Sequence, residues 1–532
     1  MRIFLFKHTG LSEGREYKFS SVNQAVLWPQ EHGIRLGMAG AWNLLFRAGI
    51  RPHIVDENNL PMPEIGDVLF ASADFKFSSN AERAILEWIA AGGRVTAAGY
   101  PEAWRFAFPK DVFLESARLD NPYTAIAWLS EEGKPELIAP PSWAYLVVKK
   151  NVDDSLECKG KLAAISGERQ TPQRALITPL EDAPAMLYAG NFYYFNGNPF
   201  SAFQAWLQGQ ENIAPWLAWR HRIFWLDELA AFICKILREN QLMPAVDSGV
   251  GDLAKTTVVF KHDLDHSRDT TYLNMETHAG LPGVHAILRD SNTAFWTDKL
   301  KSKPRQESAF HYNTGSYSRL MEAVRNKLLN LPKRPYRLNK NAIAGRGLLN
   351  QVVWAKNNGI GIETLHRHLP FILYPELIDA LDIVYENEAE VLGSNSFFRG
   401  QVLRWGVDCV DGLRGALGDF PDPQFSYWFP FRLAHAGHGG RLLRGWESTS
   451  MMEIEPGLVE QMLDYKVPGL SQRVLILNYH PAHANRSTFA KEGCVNWFRE
   501  ILDLCHSKGV EVRSLSEVYK ILNDHLEGKH GK

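Results

Sequence analysis

The run Thr256-Thr257-Val258-Val259-Phe260-Lys261-His262-Asp263-Leu264-Asp265-His266 carries the sharpest change of character in this chain. Its first five residues are β-branched or apolar and predict a strand. That strand leads directly into two acids and two histidines, His262, Asp263, Asp265 and His266. Polar groups at the C-terminal end of a strand are where parallel α/β barrels carry their chemistry. Side chains of an extended chain alternate, so Asp263 and Asp265 point the same way if the chain stays extended. Two carboxylates on one side suit a divalent cation or proton transfer. A solvated charged loop is the bland alternative, and the apolar strand running straight into the cluster makes it the weaker one.

Four later segments have a related form. Gly280-Leu281-Pro282-Gly283-Val284-His285-Ala286-Ile287-Leu288 is a second apolar strand, and Asn358-Gly359-Ile360-Gly361-Ile362 leads into Glu363-Thr364-Leu365-His366-Arg367-His368. Then come Ser394-Asn395-Ser396-Phe397-Phe398-Arg399-Gly400 and Val474-Leu475-Ile476-Leu477-Asn478-Tyr479-His480-Pro481. In this order, with His262-Asp263-Leu264-Asp265 as the first motif, the segments resemble the polysaccharide deacetylase (NodB-homology) family over about residues 255–520. The resemblance implies a distorted (β/α) barrel and metal-dependent removal of an N-acyl group, N-acetyl above all, from a carbohydrate. It implies Asp263 as base, Asp265 as metal ligand, Arg399 as the residue orienting the catalytic Asp, and His480 as general acid.

Two departures stand out. The family's His-Thr-x-x-His is replaced by Glu363-Thr364-Leu365-His366-Arg367-His368, and Gly400 stands where Pro is usual. Glu is a competent ligand for zinc or a harder ion. A helix here would put Glu363 and His366 on one face, whereas a strand would pair His366 with His368. The expected ligand set is Asp265, Glu363, His366 and His368 around zinc, with cobalt or nickel as alternatives. Amide hydrolysis at neutral pH requires an activated water, which a divalent ion provides by lowering its pKa. A carboxylate such as Asp263 takes the proton, and a histidine such as His480 returns one to the leaving amine. Trp428, His311 and Tyr479 are the candidate substrate-binding residues.

The first half alternates predicted strands (3–6, 52–55, 67–71, 94–98) with helical patterns, the clearest at 81–91 between Ser78, Ser79 or Asn80 and Gly92-Gly93. This alternation predicts a doubly wound parallel sheet. Glu87-Trp88-Ile89-Ala90-Ala91-Gly92-Gly93-Arg94-Val95 through Gly99 resembles class I glutamine amidotransferase-like folds, with Ala97 where the nucleophilic Cys would sit. That implies the fold without glutaminase activity. The expected domains are 1–245, non-catalytic, and 250–525, the barrel. The aromatics at 187–239 suit a core or a glycan-stacking face.

The 58 basic and 60 acidic side chains nearly cancel, which argues against an electrostatic nucleic-acid binder. Five scattered cysteines with no C-x-x-C pair exclude a thiolate zinc cluster and a disulfide scaffold. The chain has no P-loop, no G-x-G-x-x-G and no G-x-S-x-G. The four-residue apolar run at 3–6 is too short for a signal-peptide core, and no stretch is long enough to span a membrane. The expectation is a cytoplasmic protein acting on a carbohydrate or small molecule, with no nucleic-acid or membrane partner, and compatible with a homo-oligomer. The rivals are a carbohydrate-binding or scaffold protein with a decayed site, and a hydrolase of a non-sugar amide.

Overall fold

A computed structural model describes residues 1–7, 36–73, 77–118, 124–129, 135–139, 144–151, 155–168, 171–207, 225–245, 249–313, 340–368, 374–395, 427–435, 441–485 and 493–529. Arg399 lies outside these residues.

The first sheet contains β1 (Ile3–Phe6), β2 (His53–Val55), β3 (Val68–Ala73) and β4 (Arg94–Gly99). Its order is β2-β1-β3-β4, and all three pairings are parallel. Alternation along each strand sends side chains to two cores. Ile3 and Leu5 pack on the side of the helix Gly37–Arg47, whereas Phe4 and Phe6 pack with Trp88 of the helix Ser79–Ala90. Helices therefore cover both faces, as a parallel sheet requires. Ser78 caps the second helix by accepting from Ala81 N at 3.2 Å, and Gly92 follows it with φ +91°. Ala97 is fully buried inside β4 and is not at a strand-to-helix elbow.

Residues 112–179 add strands that the sequence reading did not anticipate. β5 (Val112–Arg118) pairs antiparallel with β8 (Ala144–Asn151). β6 (Thr124–Leu129), β7 (Pro135–Ala139), β10 (Lys161–Glu168) and β11 (Thr171–Pro179) form an antiparallel sheet in the order β11-β10-β6-β7. β9 (Glu157–Lys159), β12 (Met186–Ala189) and β13 (Phe192–Phe195) then return to the first sheet, β13 lying parallel to β4.

The second half is a nearly closed, all-parallel barrel. Its strands are β14 (Thr257–Asp263), β15 (Gly283–Leu288), β16 (Gln306–Asn313), β17 (Thr364–His368) and β18 (Gly393–Asn395). After a short antiparallel pair, β19 (Ala434–His435) and β20 (Arg441–Leu442), come β21 (Trp446–Ser448), β22 (Ser450–Met452), β23 (Val474–Asn478) and β24 (Glu511–Val512). The order is β21-β18-β17-β16-β15-β14-β23-β22, with β24 also against β14. The two ends of this path, β21 and β22, are separated in sequence by Thr449 alone, so one chain segment supplies both edges. All seven residues of β14 are buried, which explains its unbroken apolar start. A continuous core links the first sheet to the barrel through the helices Gly37–Arg47 and Trp225–Glu239. The buried Arg47–Asp227 ion pair lies between these two helices.

Candidate active site

Period-two alternation divides the barrel's polar residues between two layers. On β14, His262 faces outward and stacks on Tyr272, while Lys261 and Asp263 face inward and meet each other. Register then fixes which neighbours they find. Lys261 pairs with Asn478 on parallel β23, so two residues further on Asp263 stands level with His480. Asp263 pairs with Ala286, and Leu288 with His311, which brings Asp265 level with His311 in the same way.

The result is a dense polar cluster at the C-terminal ends of the strands. His311 Nε2 lies 3.2 Å from Asp265 Oδ1, and His368 Nε2 lies 3.5 Å from Asp265 Oδ2. His311 Nδ1 is 3.5 Å from Asp263 Oδ1. Lys261 Nζ lies 2.8 Å and 3.0 Å from the two Asp263 oxygens, and Asn478 Nδ2 donates to Oδ2 at 2.8 Å. His480 lies between two acids, Nε2 at 3.6 Å from Asp263 and Nδ1 at 3.4 Å from Glu453. Among the described residues, Lys261 is the cation against both Asp263 oxygens; orientation of this acid is the role the resemblance implies for Arg399.

The electrostatics follow from the packing. Burial would raise the Asp263 carboxyl, but Lys261, then His311 and His480, hold it far below the usual carboxylate range. Burial opposes ionisation of Asp265 too, and His311 and His368 overcome it. Glu453 is buried as well, yet His480 and His483 bring it down to about 2. Burial would depress the His480 imidazole, but Glu453, Asp263 and Asp265 together hold it above its ordinary value. Burial also depresses the Lys261 ammonium, more than Asp263 restores it.

The residues fit a metal ion. Donor atoms of Asp265, His311 and His368 lie within 4.8 Å of one another. A tetrahedral zinc site with bonds near 2.0–2.1 Å has donor–donor edges of about 3.3–3.5 Å, close to the 3.2 and 3.5 Å separations here. Both His311 nitrogens are buried without an aligned hydrogen-bond partner, the state expected of ligand atoms awaiting an ion.

Several expected site residues lie elsewhere. Glu363 is exposed and precedes β17, whose C-terminal residue is His368, so it lies at the far end of the strand from Asp265. Residues 364–368 are extended, which puts His366 and His368 on one side. His366, however, sits one step deeper, between Thr364 Oγ1 at 3.2 Å and Asn395 Nδ2 at 3.3 Å. Burial and the nearby Lys261 push its imidazole well below its ordinary value. Trp428 is core. It is buried, and its carbonyl accepts from Val474 N at 2.6 Å, at the start of β23 and therefore the wrong end of the barrel for substrate. Tyr479 faces outward, packs on Tyr272 and Phe498, and donates its hydroxyl to the Ile454 carbonyl. His311 belongs with the candidate metal ligands, not with a substrate wall. Glu453, Lys261 and Asn478 were missed. Glu453 follows the short strand β22 and carries no motif, so its only signal is the pairing of Met452 with Asn478.

No protein-family model matches the chain, and no curated protein sequence matches it. Solved structures similar to it include the exo-β-1,4-mannosidase Op5Man5 from Opitutaceae bacterium strain TAV5, with 15% identity over 44% of this chain and 35% of that one, TM-score 0.28. Another is α-L-fucosidase isoenzyme 2 from Paenibacillus thiaminolyticus, with 15% identity, 45% and 33% coverage and TM-score 0.28. The chain thus spans about a third of the length of each, 35% and 33%. A third, from Bordetella bronchiseptica, is described as a polysaccharide deacetylase involved in O-antigen biosynthesis, with 12% identity, 51% and 91% coverage and TM-score 0.24. Likeness at these TM-scores says nothing about chemistry, which rests on the side chains themselves. Among the described residues, no helix is long and apolar enough to cross a membrane.

Proposed function

We propose that this protein is a metal-dependent hydrolase that removes an N-acyl group, N-acetyl in the first instance, from a carbohydrate. One observation carries the reading: Asp265, His311 and His368 converge beside Asp263 and His480 at the C-terminal ends of parallel barrel strands. The substrate class comes from the ordered strand-end motifs. Asp265, His311 and His368 would hold the ion, with Asp263 orienting His311 through Nδ1 as carboxylates do behind metal-bound histidines. A divalent ion supplies a lowered water pKa and a polarised acyl carbonyl.

The protein's own groups handle the protons. Asp263 is ionised and faces the cluster, so it is the acceptor nearest to an attacking water. His480, whose imidazole Glu453 and the two aspartates hold above its ordinary value, donates from Nε2 to the departing amine. Lys261 and Asn478 hold the Asp263 carboxylate in place.

The test is metal content and acetate release. Purified protein should retain zinc, cobalt or nickel and release acetate from N-acetylated amino-sugar oligomers, and Asp265→Ala and His368→Ala should lose the acetate release together with the ion held by Asp265, His311 and His368. A wild-type protein that takes up no ion, even from excess, sinks the reading. Metal uptake with hydrolysis only of non-sugar amides would keep the site and change the substrate.

A further inference from the structure

His480 presents a second face. While Nε2 looks towards Asp263, Nδ1 looks towards Glu453, and His483 Nδ1 hydrogen-bonds the same Glu453 oxygen. The local chain explains why three donors meet here. Pro481 opens the 3₁₀ turn Pro481–His483, with His480 as its N-cap. Residues three apart nearly eclipse in such a turn, so the two imidazoles lie on one side, ring centroids 5.3 Å apart. Glu453 adopts a left-handed φ of 51°, rare for a side-chain-bearing residue, and its N–H donates to Asn478 O at 2.8 Å. This bend sets Glu453 directly after β22, beside the end of β23, and its buried carboxylate meets both rings.

We propose that Glu453, His480 and His483 form a second divalent-cation site, distinct from Asp265, His311 and His368, and that filling it disables His480 as proton donor. Their donor atoms lie within 4.8 Å of one another. Two imidazole nitrogens and one carboxylate oxygen, with an opening to solvent beside them, form a set that zinc and its neighbours in the transition series favour over magnesium or calcium. The opening is at His483, whose side chain is 35% exposed, against 13% for His480 and none for Glu453. The 3.4 Å between His480 Nδ1 and Glu453 already matches a zinc-site edge of about 3.3–3.5 Å. The His483–Glu453 hydrogen bond must open for the ion to enter.

The proton balance gives the functional consequence. An ion at this site would take the Nδ1 lone pair, and any proton carried there would leave to solvent. The ring keeps Nε2–H but is no longer an imidazolium, so it surrenders that proton far less readily. Inhibition by excess metal rests on the general-acid role given to His480 above, whereas the site itself does not.

The experiment is calorimetric titration of metal-free full-length protein with Zn²⁺ and, separately, Co²⁺, together with counting of bound ions after dialysis. Wild type should bind two ions in two classes. His483→Ala should weaken the second class at least about tenfold and keep the first, since loss of even an outer-shell partner costs 10–100-fold. Asp265→Ala should do the reverse. Acetate release by wild type should fall as Zn²⁺ exceeds one equivalent, and His483→Ala should lose that fall. A single class of ion, or two classes untouched by His483→Ala, overturns the second site without affecting the first. Two classes of which Asp265→Ala removes neither, while His483→Ala removes one, supports the second site and counts against the first.

Discussion

Replacing Glu453 by Gln tests the proton logic of the site, because Gln keeps the shape and removes the charge of the partner that does most to hold the His480 imidazole above its ordinary value. Two unit charges about 4 Å apart at an effective dielectric near 20 interact by about 4 kcal/mol, a ceiling of about 3 pKa units. The actual loss is smaller. Asp263 remains 3.6 Å from Nε2, and the His480 side chain is 13% exposed, so water screens part of the interaction. A downward shift of the His480 midpoint is expected. The assay is NMR titration of the His480 ring in metal-free protein, followed by kcat/KM for acetate release against pH. Since His480 acts as an acid, the high-pH limb should move down by the same amount. Stability should follow with opposite signs for the two partners. Glu453, lowered from 4.5 to about 2, stabilises the fold above its unfolded pKa and loses that contribution as pH falls towards 2. His480, raised above 6.5, stabilises fully below that value and loses its contribution as pH rises through its folded pKa. The two shifts report one interaction and are not added. A His480 midpoint unchanged in Glu453→Gln would refute the argument, because no other acid lies against Nδ1 among the described residues.

Three further outcomes are expected. His311→Ala should abolish tight metal binding while Glu363→Ala leaves it intact, as metal analysis after dialysis would show; the reverse result would restore the sequence expectation. Glu276→Gln should cost about 1–3 kcal/mol in urea unfolding at pH 7, because it removes the carboxylate that faces buried His262, 2.7 Å away, and His285, 3.3 Å away. Burial opposes the Glu276 charge but His262 and His285 win, so the carboxyl is held below its ordinary range; the wild-type advantage should be full above about pH 4.3 and shrink as pH falls. Asp227→Ala should destabilise by about 3–5 kcal/mol, measured in the same way, since it strands Arg47 beneath Tyr427 and Phe429, 4.7 and 5.2 Å from the ring centroids.

Legibility in the sequence followed the reach of the interactions. Apolar runs closed by polar residues are local, so strands starting near 256 and 474 were readable, with Asp263, Asp265 and His480 at or just past their C-terminal ends. Glu363 and His311 depend instead on which end of a strand a residue occupies and on what lies beside it. The pairing of His311 with His366, and of Asn313 with His368, belongs to two strands about fifty residues apart in sequence, and no local pattern encodes it. Trp428 and Tyr479 failed for another reason. An aromatic beside a motif looks like a substrate wall, but the face it occupies depends on strand parity and on the helices outside. The strands at 112–179 carry no chemical motif and were passed over.

Parity also explains why His262 and Asp263, adjacent in one motif, serve opposite layers. His262 Nδ1 lies 2.8 Å from the Tyr479 carbonyl, which can only accept, so this nitrogen must donate. Its Nε2 lies 2.7 Å from Glu276 Oε1, which is buried in the same outer layer. His262 is buried in the outer layer, stacked on Tyr272 and set edge-on against Phe498. Gly283 makes the arrangement possible, because a Cβ there would lie 2.2 Å from Glu276 Oε2. The carbonyl that His262 grips belongs to the residue before His480, and His262 is itself the residue before Asp263. His262 thus ties together the backbone behind the proposed base and the proposed acid, whose side chains lie 3.6 Å apart across two strands.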